Sequence, residues 1–156
     1  MIRLIDDALL AEVSAEAKAS PRGRKNRNFH HDNEAPGHRL LNAIEPGSYV
    51  APHRHLDPTK DETMTVLRGR LGLVIFDDRG AVVRAVVLTP NGPVLGVDLP
   101  HGTWHSVLAL ESGTVFLEAK AGPYRPLVAE ECSSWAPQEG SAEAPAYWQT
   151  LAALFA

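Results

Sequence analysis

The chain has 156 residues, of which 44% are hydrophobic and 22% are charged, and its formal net charge is −4. This length and composition are typical of one globular domain that buries its core without disulfides. The net negative charge argues against nucleic-acid binding, which needs a basic surface. The one cysteine, Cys132, cannot form an internal disulfide, and residues 1–7 lack the features of a signal peptide. We therefore expect a cytoplasmic protein without membrane contact.

The first predicted element is a helix over residues 5–19, where Leu9, Val13 and Ala17 recur every four residues before Ser20–Pro21 ends the pattern. A polar and locally basic loop, 22–37, follows. From residue 38 onward, short apolar runs separated by Gly, Pro, Asn and Asp predict an antiparallel sandwich or a small barrel. The predicted strands are 38–44, 48–55, 63–68, 71–76, 81–89, 94–98, 104–110 and 113–120. A closing helix is predicted over about 145–155.

Three histidines form the clearest candidate for chemistry. His53 and His55 are two residues apart in a predicted strand, so their imidazoles are expected on one face, as a metal site requires. His105 follows the predicted turn Pro100–His101–Gly102, and Glu62 begins another apolar strand. Three imidazoles and a carboxylate would leave positions open on an octahedral ion for water or a substrate.

These residues resemble the two motifs of the cupin superfamily. The first motif runs from Gly47 through the two histidines and Glu62 to Gly69, and the second is Pro100-x-Gly102-x-x-His105. The resemblance implies an all-β, cupin-type double-stranded β-helix (jelly-roll) barrel with a short helix at each end. It also implies that His53, His55, Glu62 and His105 bind a divalent transition metal: Zn, Fe, Mn or Ni. The loop from Leu56 to Asp61 is longer than usual in cupins, so Asp57 or Asp61 could replace Glu62 as the carboxylate ligand.

A second resemblance covers nearly the whole chain. Its segments resemble WbuC-family cupin fold metalloproteins, bacterial proteins often associated with O-antigen gene clusters. They are Arg22-x-Arg24-x-x-Arg27-Asn28-x-His30, the run 40–49, 52–55, 60–63, 67–70, Glu118 to Tyr124, and Trp135–Ala136–Pro137. This resemblance implies one domain over 1–156, with a helix and basic loop (1–37), a barrel (38–122) and a C-terminal loop and helix (123–156). It implies a bound metal but no established reaction.

Candidate groups around the metal are less sharply defined by the sequence. Arg24, Arg27, His30 and Arg39 are predicted to bind an anionic ligand, although the basic stretch could equally be a solvated loop. Lys120 and Tyr124 are the candidate catalytic residues. Strand alternation favours an outward position for Glu118 and Lys120, because Val115, Leu117 and Ala119 form the apolar face, whereas the family resemblance favours a place in the site.

The expected function is that of a metal-binding cupin protein, and one hypothesis is an enzyme for a small anionic or sugar-type metabolite of bacterial surface-polysaccharide (O-antigen) metabolism. The alternative is a non-catalytic module that binds a small ligand with its metal. Cupin barrels often pair through exposed strands, so a homodimer is also expected.

Overall fold

A computed structural model describes all residues, 1–156, as two antiparallel sheets with a helix at each end of the chain. Neither helix is long and apolar enough to cross a membrane. The helices are α1 (Asp7–Ala19) and α2 (Ala144–Ala153), and a short 3-10 turn spans Ala129–Glu131. The strands are β1 (Arg24–Asn28), β2 (Gly37–Ile44), β3 (Glu62–Arg68), β4 (Leu71–Phe76), β5 (Val82–Leu88), β6 (Gly96–Leu99), β7 (Trp104–Ala109) and β8 (Thr114–Ala121).

The eight strands form a five-stranded sheet, ordered β1-β2-β8-β3-β6, and a three-stranded sheet, ordered β5-β4-β7. The main core lies between the two sheets, where apolar side chains from both meet. Ile44, Met64 and Phe116 come from the five-stranded sheet, and Leu73 and Val107 come from the other. Next to this core, the inner face becomes polar and leaves a cavity, which Met64, Val107 and Phe116 of the core also line.

Helix α1 packs on the outer face of the five-stranded sheet. Asp6 caps its first turn by accepting a hydrogen bond from the backbone N–H of Leu9 at 3.0 Å. Its buried side chains Leu10, Val13 and Ala17 contact Leu41, Ala43 and Val115 of strands β2 and β8. The apolar face of these two strands therefore points out of the barrel and toward the helix.

Helix α2 covers the outer face of the other sheet. Leu151 and Ala144 pack with Val74, Phe76 and Leu108, and Tyr49 joins them from the long connection after β2. Each sheet thus has apolar residues on its outer face that a helix keeps from water.

Two predicted segments are wrong in the structure. The segment 24–28, predicted as part of a basic loop, is strand β1, which pairs along its whole length with β2 at the sheet edge. Its sequence carries no apolar alternation, because its side chains meet polar partners instead of a core. The segment 48–55, predicted as a strand, makes only isolated bridges from His53. Pro52 has no N–H to donate to a ladder, which interrupts strand pairing at this point.

The C-terminal segment is tied to β1 by an ion-pair triad. The Glu139 carboxylate accepts hydrogen bonds from Arg22 at 2.7 and 2.8 Å and from Arg24 at 2.7 Å. The hydrogen bond from Arg22, opposed by partial burial and reinforced by Arg24, lowers the pKa of Glu139 from 4.5 to about 2.

Glu139→Gln is expected to reduce stability at pH 7 by about 1 kcal/mol, since half-exposed ion pairs rarely contribute more. The native pKa lies below that of the unfolded chain, so the stabilisation is complete above about pH 4.5 and is lost as the pH falls toward 2. Urea unfolding at several pH values measures the difference from wild type. Glu143→Gln is the matched control, because the Glu143 side chain makes no capping hydrogen bond. A difference that does not change between pH 7 and pH 3 would contradict this assignment.

The glycines of the first motif give a second prediction. Gly47 and Gly69 both have positive φ, of 90° and 82°, but only at Gly69 would an added Cβ overlap the backbone and side chain of Thr114. Gly47→Ala should lower the free energy of unfolding by about 1–2 kcal/mol, because alanine is strained in the left-handed backbone conformation. Gly69→Ala should lower the free energy of unfolding by clearly more than Gly47→Ala does in the same denaturation assay. Equal losses of stability for the two variants would show that Thr114 moves aside without destabilising the fold.

Candidate functional site

A cavity of about 430 Å³ lies between the two sheets. Its polar floor is a row of residues set side by side by strand register: His38 of β2 lies beside Lys120 of β8, which lies beside Glu62 of β3. His53 and His105 complete this end of the cavity. The volume is within the range of sites for small molecules.

The three predicted histidines come together in space, and we call His53, His55 and His105 the imidazole cluster. The backbones of His53 and His105 exchange two hydrogen bonds of 3.0 Å, which fixes the connection after β2 against strand β7. The ring centroid of His53 is 4.5 Å from that of His105 and 5.5 Å from that of His55. This bridge, and not a regular strand, places the first two histidines.

Backbone carbonyls orient two of these rings. His53 Nδ1 lies 3.0 Å from the Ala51 oxygen, and His105 Nδ1 lies 2.9 Å from the Thr103 oxygen. A carbonyl oxygen can only accept, so Nδ1 carries the hydrogen in both rings. In the neutral rings Nε2 therefore holds a lone pair, the form in which histidine binds metals. His55 is oriented differently, with Nδ1 3.7 Å from the Glu131 carboxylate.

Glu62 is buried against the imidazole cluster and is only 3% exposed. One carboxylate oxygen lies 2.8 Å from His55 Nε2, and the other lies 3.1 Å from His105 Nε2. Burial alone would raise the pKa of Glu62. Hydrogen bonding by His105 and His55, with the charge of Lys120, outweighs burial and keeps this pKa well below its ordinary range.

The contacts between Glu62 and the rings are short but poorly directed. Although the distances are those of hydrogen bonds, His55 Nε2 and Glu62 Oε2 are buried without a hydrogen-bond partner. A carboxylate oxygen that faces the lone pair of a neutral imidazole needs a cation between them, either a proton or a metal ion. Burial, followed by the charge of His105, lowers the pKa of His53 to about 3, so this ring is neutral at physiological pH.

As the side chains stand, no three of them surround a common point in the way that a bound ion requires. Glu62 instead contacts the rings and the Lys120 ammonium directly. The types of donor nonetheless fit a divalent transition metal, because imidazole nitrogen and carboxylate oxygen both bind such ions. The two unpartnered buried atoms are both ligand atoms of this kind, and small side-chain movements would allow an ion to replace the direct contacts of Glu62 with His55 and His105.

Lys120 continues the polar row away from the rings. Its ammonium lies 3.1 Å from Glu62 and 2.7 Å from Glu118, and Glu118 in turn accepts a 2.7 Å hydrogen bond from Asn42. Burial would lower the pKa of Lys120, but Glu118 and then Glu62 raise it above its ordinary value, so the side chain stays charged. Strand alternation alone predicts an outward position for Glu118 and Lys120, and the structure shows the opposite.

The other predicted site residues divide into two groups. Arg24, His30 and Tyr124 line the cavity, with Tyr124 at its mouth and 52% exposed. Arg27 does not reach it, because its guanidinium bonds Glu12 and Glu16 of helix α1. Arg39 lies on the outer face of β2, in a shallow cleft with Phe29 and Leu117. The structure therefore gives Arg27 and Arg39 no contact with the cavity.

The alternative carboxylates in the loop before Glu62 are exposed and bonded elsewhere. Asp57 accepts hydrogen bonds from the backbone and hydroxyl of Thr59, and Asp61 accepts from the backbone of His101. Among the three carboxylates considered from the sequence, Glu62 alone contacts the imidazole cluster.

Sequence reasoning missed Glu131 as a neighbour of the site. One of its carboxylate oxygens lies 3.7 Å from His55 Nδ1 and 3.3 Å from the backbone nitrogen of Leu56. The 3-10 turn that carries it is 69 residues beyond Glu62 in the chain. No sequence pattern marked this approach, because only the folded C-terminal segment brings it about.

Two comparisons by sequence place the chain among known proteins. A family model described as a domain of unknown function (DUF6016) matches residues 5–88. No curated protein matches the chain.

Solved structures resemble it more broadly. KdgF from Halomonas sp. is 20% identical, with 68% of this chain and 84% of KdgF covered and a TM-score of 0.52. The SPY1581 protein of unknown function from Streptococcus pyogenes is 12% identical, with coverages of 80% and 91% and a TM-score of 0.53. A cupin-2 domain protein from Shewanella frigidimarina is 20% identical, with coverages of 62% and 79% and a TM-score of 0.47. The likenesses to KdgF and SPY1581 concern the fold alone, and with the two antiparallel sheets they confirm the predicted all-β jelly-roll barrel.

Glu131→Gln is expected to weaken Zn²⁺ binding by roughly tenfold, because carboxylates that orient a ligating histidine commonly contribute that much to metal affinity. Competition with a chromophoric chelator measures the affinity. Glu130→Gln is the matched control, since it removes the same charge from the neighbouring residue, whose backbone oxygen alone bonds Arg54. Equal affinities for the two variants would show that Glu131 does not orient His55.

Proposed function

Since this chain belongs to the DUF6016 family of domains of unknown function and has the cupin fold, we propose that it binds one divalent transition metal ion. The ligands would be the imidazole cluster and Glu62. The observation that carries this proposal is that two buried ligand atoms lack a hydrogen-bond partner: His55 Nε2, which lies 2.8 Å from Glu62 Oε1, and Glu62 Oε2, which lies 3.1 Å from His105 Nε2. Zn, Fe, Mn and Ni all accept this donor set.

The local charge supports the proposal. Glu62 and Glu118 contribute two negative charges and Lys120 one positive charge to the same buried cluster. The resulting net charge of about minus one favours a cation. With a divalent ion bound, the net charge becomes positive, and the cavity then favours an anionic ligand.

We propose further that the cavity takes a small anionic or sugar-type molecule and that the protein is an enzyme. When bound, the metal supplies a Lewis acid for an oxygen atom of the ligand. Lys120 is placed to neutralise the anionic group, since its ammonium stays charged between two carboxylates. Tyr124, at the mouth, offers a hydroxyl to the same ligand.

A non-catalytic, metal-dependent binding module is the second candidate. It is favoured by the full pairing of Lys120 with Glu62 and Glu118, which leaves no uncommitted acid or base beside the rings. A role in bacterial surface-polysaccharide metabolism stays a prediction from the resemblance to WbuC-family proteins, as does the homodimer.

Protein purified without a chelating resin is expected to contain about one transition metal ion per chain by elemental analysis. His105→Ala should lose it, because His105 is 3% exposed and faces Glu62. His31→Ala is the control, since its side chain is 95% exposed and lies outside the cluster. Full occupancy in a His53→Ala/His105→Ala double variant would overturn the assignment of ligands. No metal in wild type, even after reconstitution, would overturn metal binding itself.

A further inference from the structure

The wall of the cavity opposite the rings is built from asparagine amides. Residues 24, 26 and 28 of β1 share one side of the strand, and all three line the cavity. Asn26 lies directly across from Asn42 of β2, which also lines it. Asparagine is depleted in β-strands, so strand propensity does not explain why these positions carry amides.

These amides have free hydrogen-bonding capacity. Asn26 and Asn28 are exposed at the rim of the cavity, and their side chains make no hydrogen bond within the chain. The half-buried Asn42 donates from Nδ2 to Glu118 and keeps its oxygen free. A carboxamide presents both donors and an acceptor. A hydroxyl group likewise donates and accepts, so a row of free amides matches a ligand that carries several hydroxyls.

The cavity also has an apolar surface between the amide wall and the rings. Val50, Met64, Val107 and Phe116 line it. A small bare anion would contact neither this surface nor the amides. A sugar ring has apolar C–H faces and a rim of hydroxyls, and it therefore matches both surfaces at once.

Polar contacts connect the amide wall to the imidazole end. Asn42 bonds Glu118, Glu118 bonds Lys120, and Lys120 reaches Glu62, at 2.7, 2.7 and 3.1 Å. Strand β1, which carries Asn26 and Asn28, lies two ladder spacings, about 10 Å, from β8, which carries Lys120. One ring with one charged substituent can thus reach from the amides to Lys120.

We infer that the ligand is a single cyclic sugar bearing one anionic group. Its hydroxyls contact Asn26, Asn28 and Asn42, and its carboxylate or phosphate points toward Lys120 and the imidazole cluster. The position inferred for the anionic group rests on the proposed metal-dependent function. The inference that the ligand carries hydroxyls rests on the amide wall.

Calorimetry on the full chain, reconstituted with Zn²⁺, tests this inference with matched probes. D-Glucuronate and D-glucose 6-phosphate carry both ring hydroxyls and an anionic group, with carboxylate and phosphate as the two sources. Cyclohexanecarboxylate keeps the ring and the charge without hydroxyls, and D-glucose keeps the hydroxyls without charge. At least one of the two charged sugars should bind ten times or more tightly than both partial probes.

The double variant Asn26→Ala/Asn28→Ala should weaken binding of that sugar by about tenfold, as expected for the loss of two neutral hydrogen bonds. It should leave cyclohexanecarboxylate binding and metal content unchanged. Asn91→Ala, in an exposed turn outside the cavity, is the control. Equal affinity for cyclohexanecarboxylate and the charged sugars, or no binding of either charged sugar, overturns the inference while metal binding stands. A protein that takes up no Zn²⁺ overturns the proposed function instead.

Discussion

The packing of helix α1 on the five-stranded sheet is the constraint on which the site depends. Leu10, Val13 and Ala17 cover the outward residues of β2 and β8, including Leu41 and Val115. Because the apolar face of these strands is buried outside the barrel, the alternate residues are free to be polar on the inside. That inner face carries Asn42, Glu118 and Lys120. Without the helix, the same alternation would place the charges outside and the apolar residues within.

The charges that this arrangement buries are costly unless each has a partner. Asn42, Glu118, Lys120 and Glu62 satisfy one another in sequence, and the last contacts the imidazole cluster. The row has unpartnered atoms at the imidazole end, Glu62 Oε2 and the neighbouring His55 Nε2, and also at His38 Nε2. A buried row of this kind contributes little to stability compared with a packed apolar core, so its presence points to binding or chemistry.

Much of the fold could be predicted from the sequence, since Gly, Pro and Asp mark the turns and apolar runs mark strands such as β4, whose bounds 71–76 were predicted as observed. Strand β1 could not be predicted from the sequence, because residues Arg24 to Asn28 have no apolar periodicity and form a strand only through pairing with β2. The predicted strand over 48–55 was wrong for the opposite reason, because its apolar residues indicate a strand but Pro52 interrupts the pairing.

For the site, the resemblance to the two cupin motifs identified the three histidines and Glu62, which the structure brings together. The sequence could not reveal which side of β8 faces inward, because that depends on where helix α1 packs. It also could not reveal that Glu131 approaches the site, because Glu131 lies in the distant C-terminal segment. Arg27 and Arg39 were grouped with the site because they are basic. Their strand positions direct them to helix α1 and to the outer cleft instead.

The most direct test of this account is anomalous diffraction from crystals of the reconstituted protein, recorded on both sides of the absorption edge of the metal. The account predicts one strong peak between the Nε2 atoms of His53, His55 and His105, within coordination distance of Glu62 and with Lys120 turned toward the open side. No peak at this position, or a peak held by Asp57 or Asp61 in place of Glu62, would contradict it.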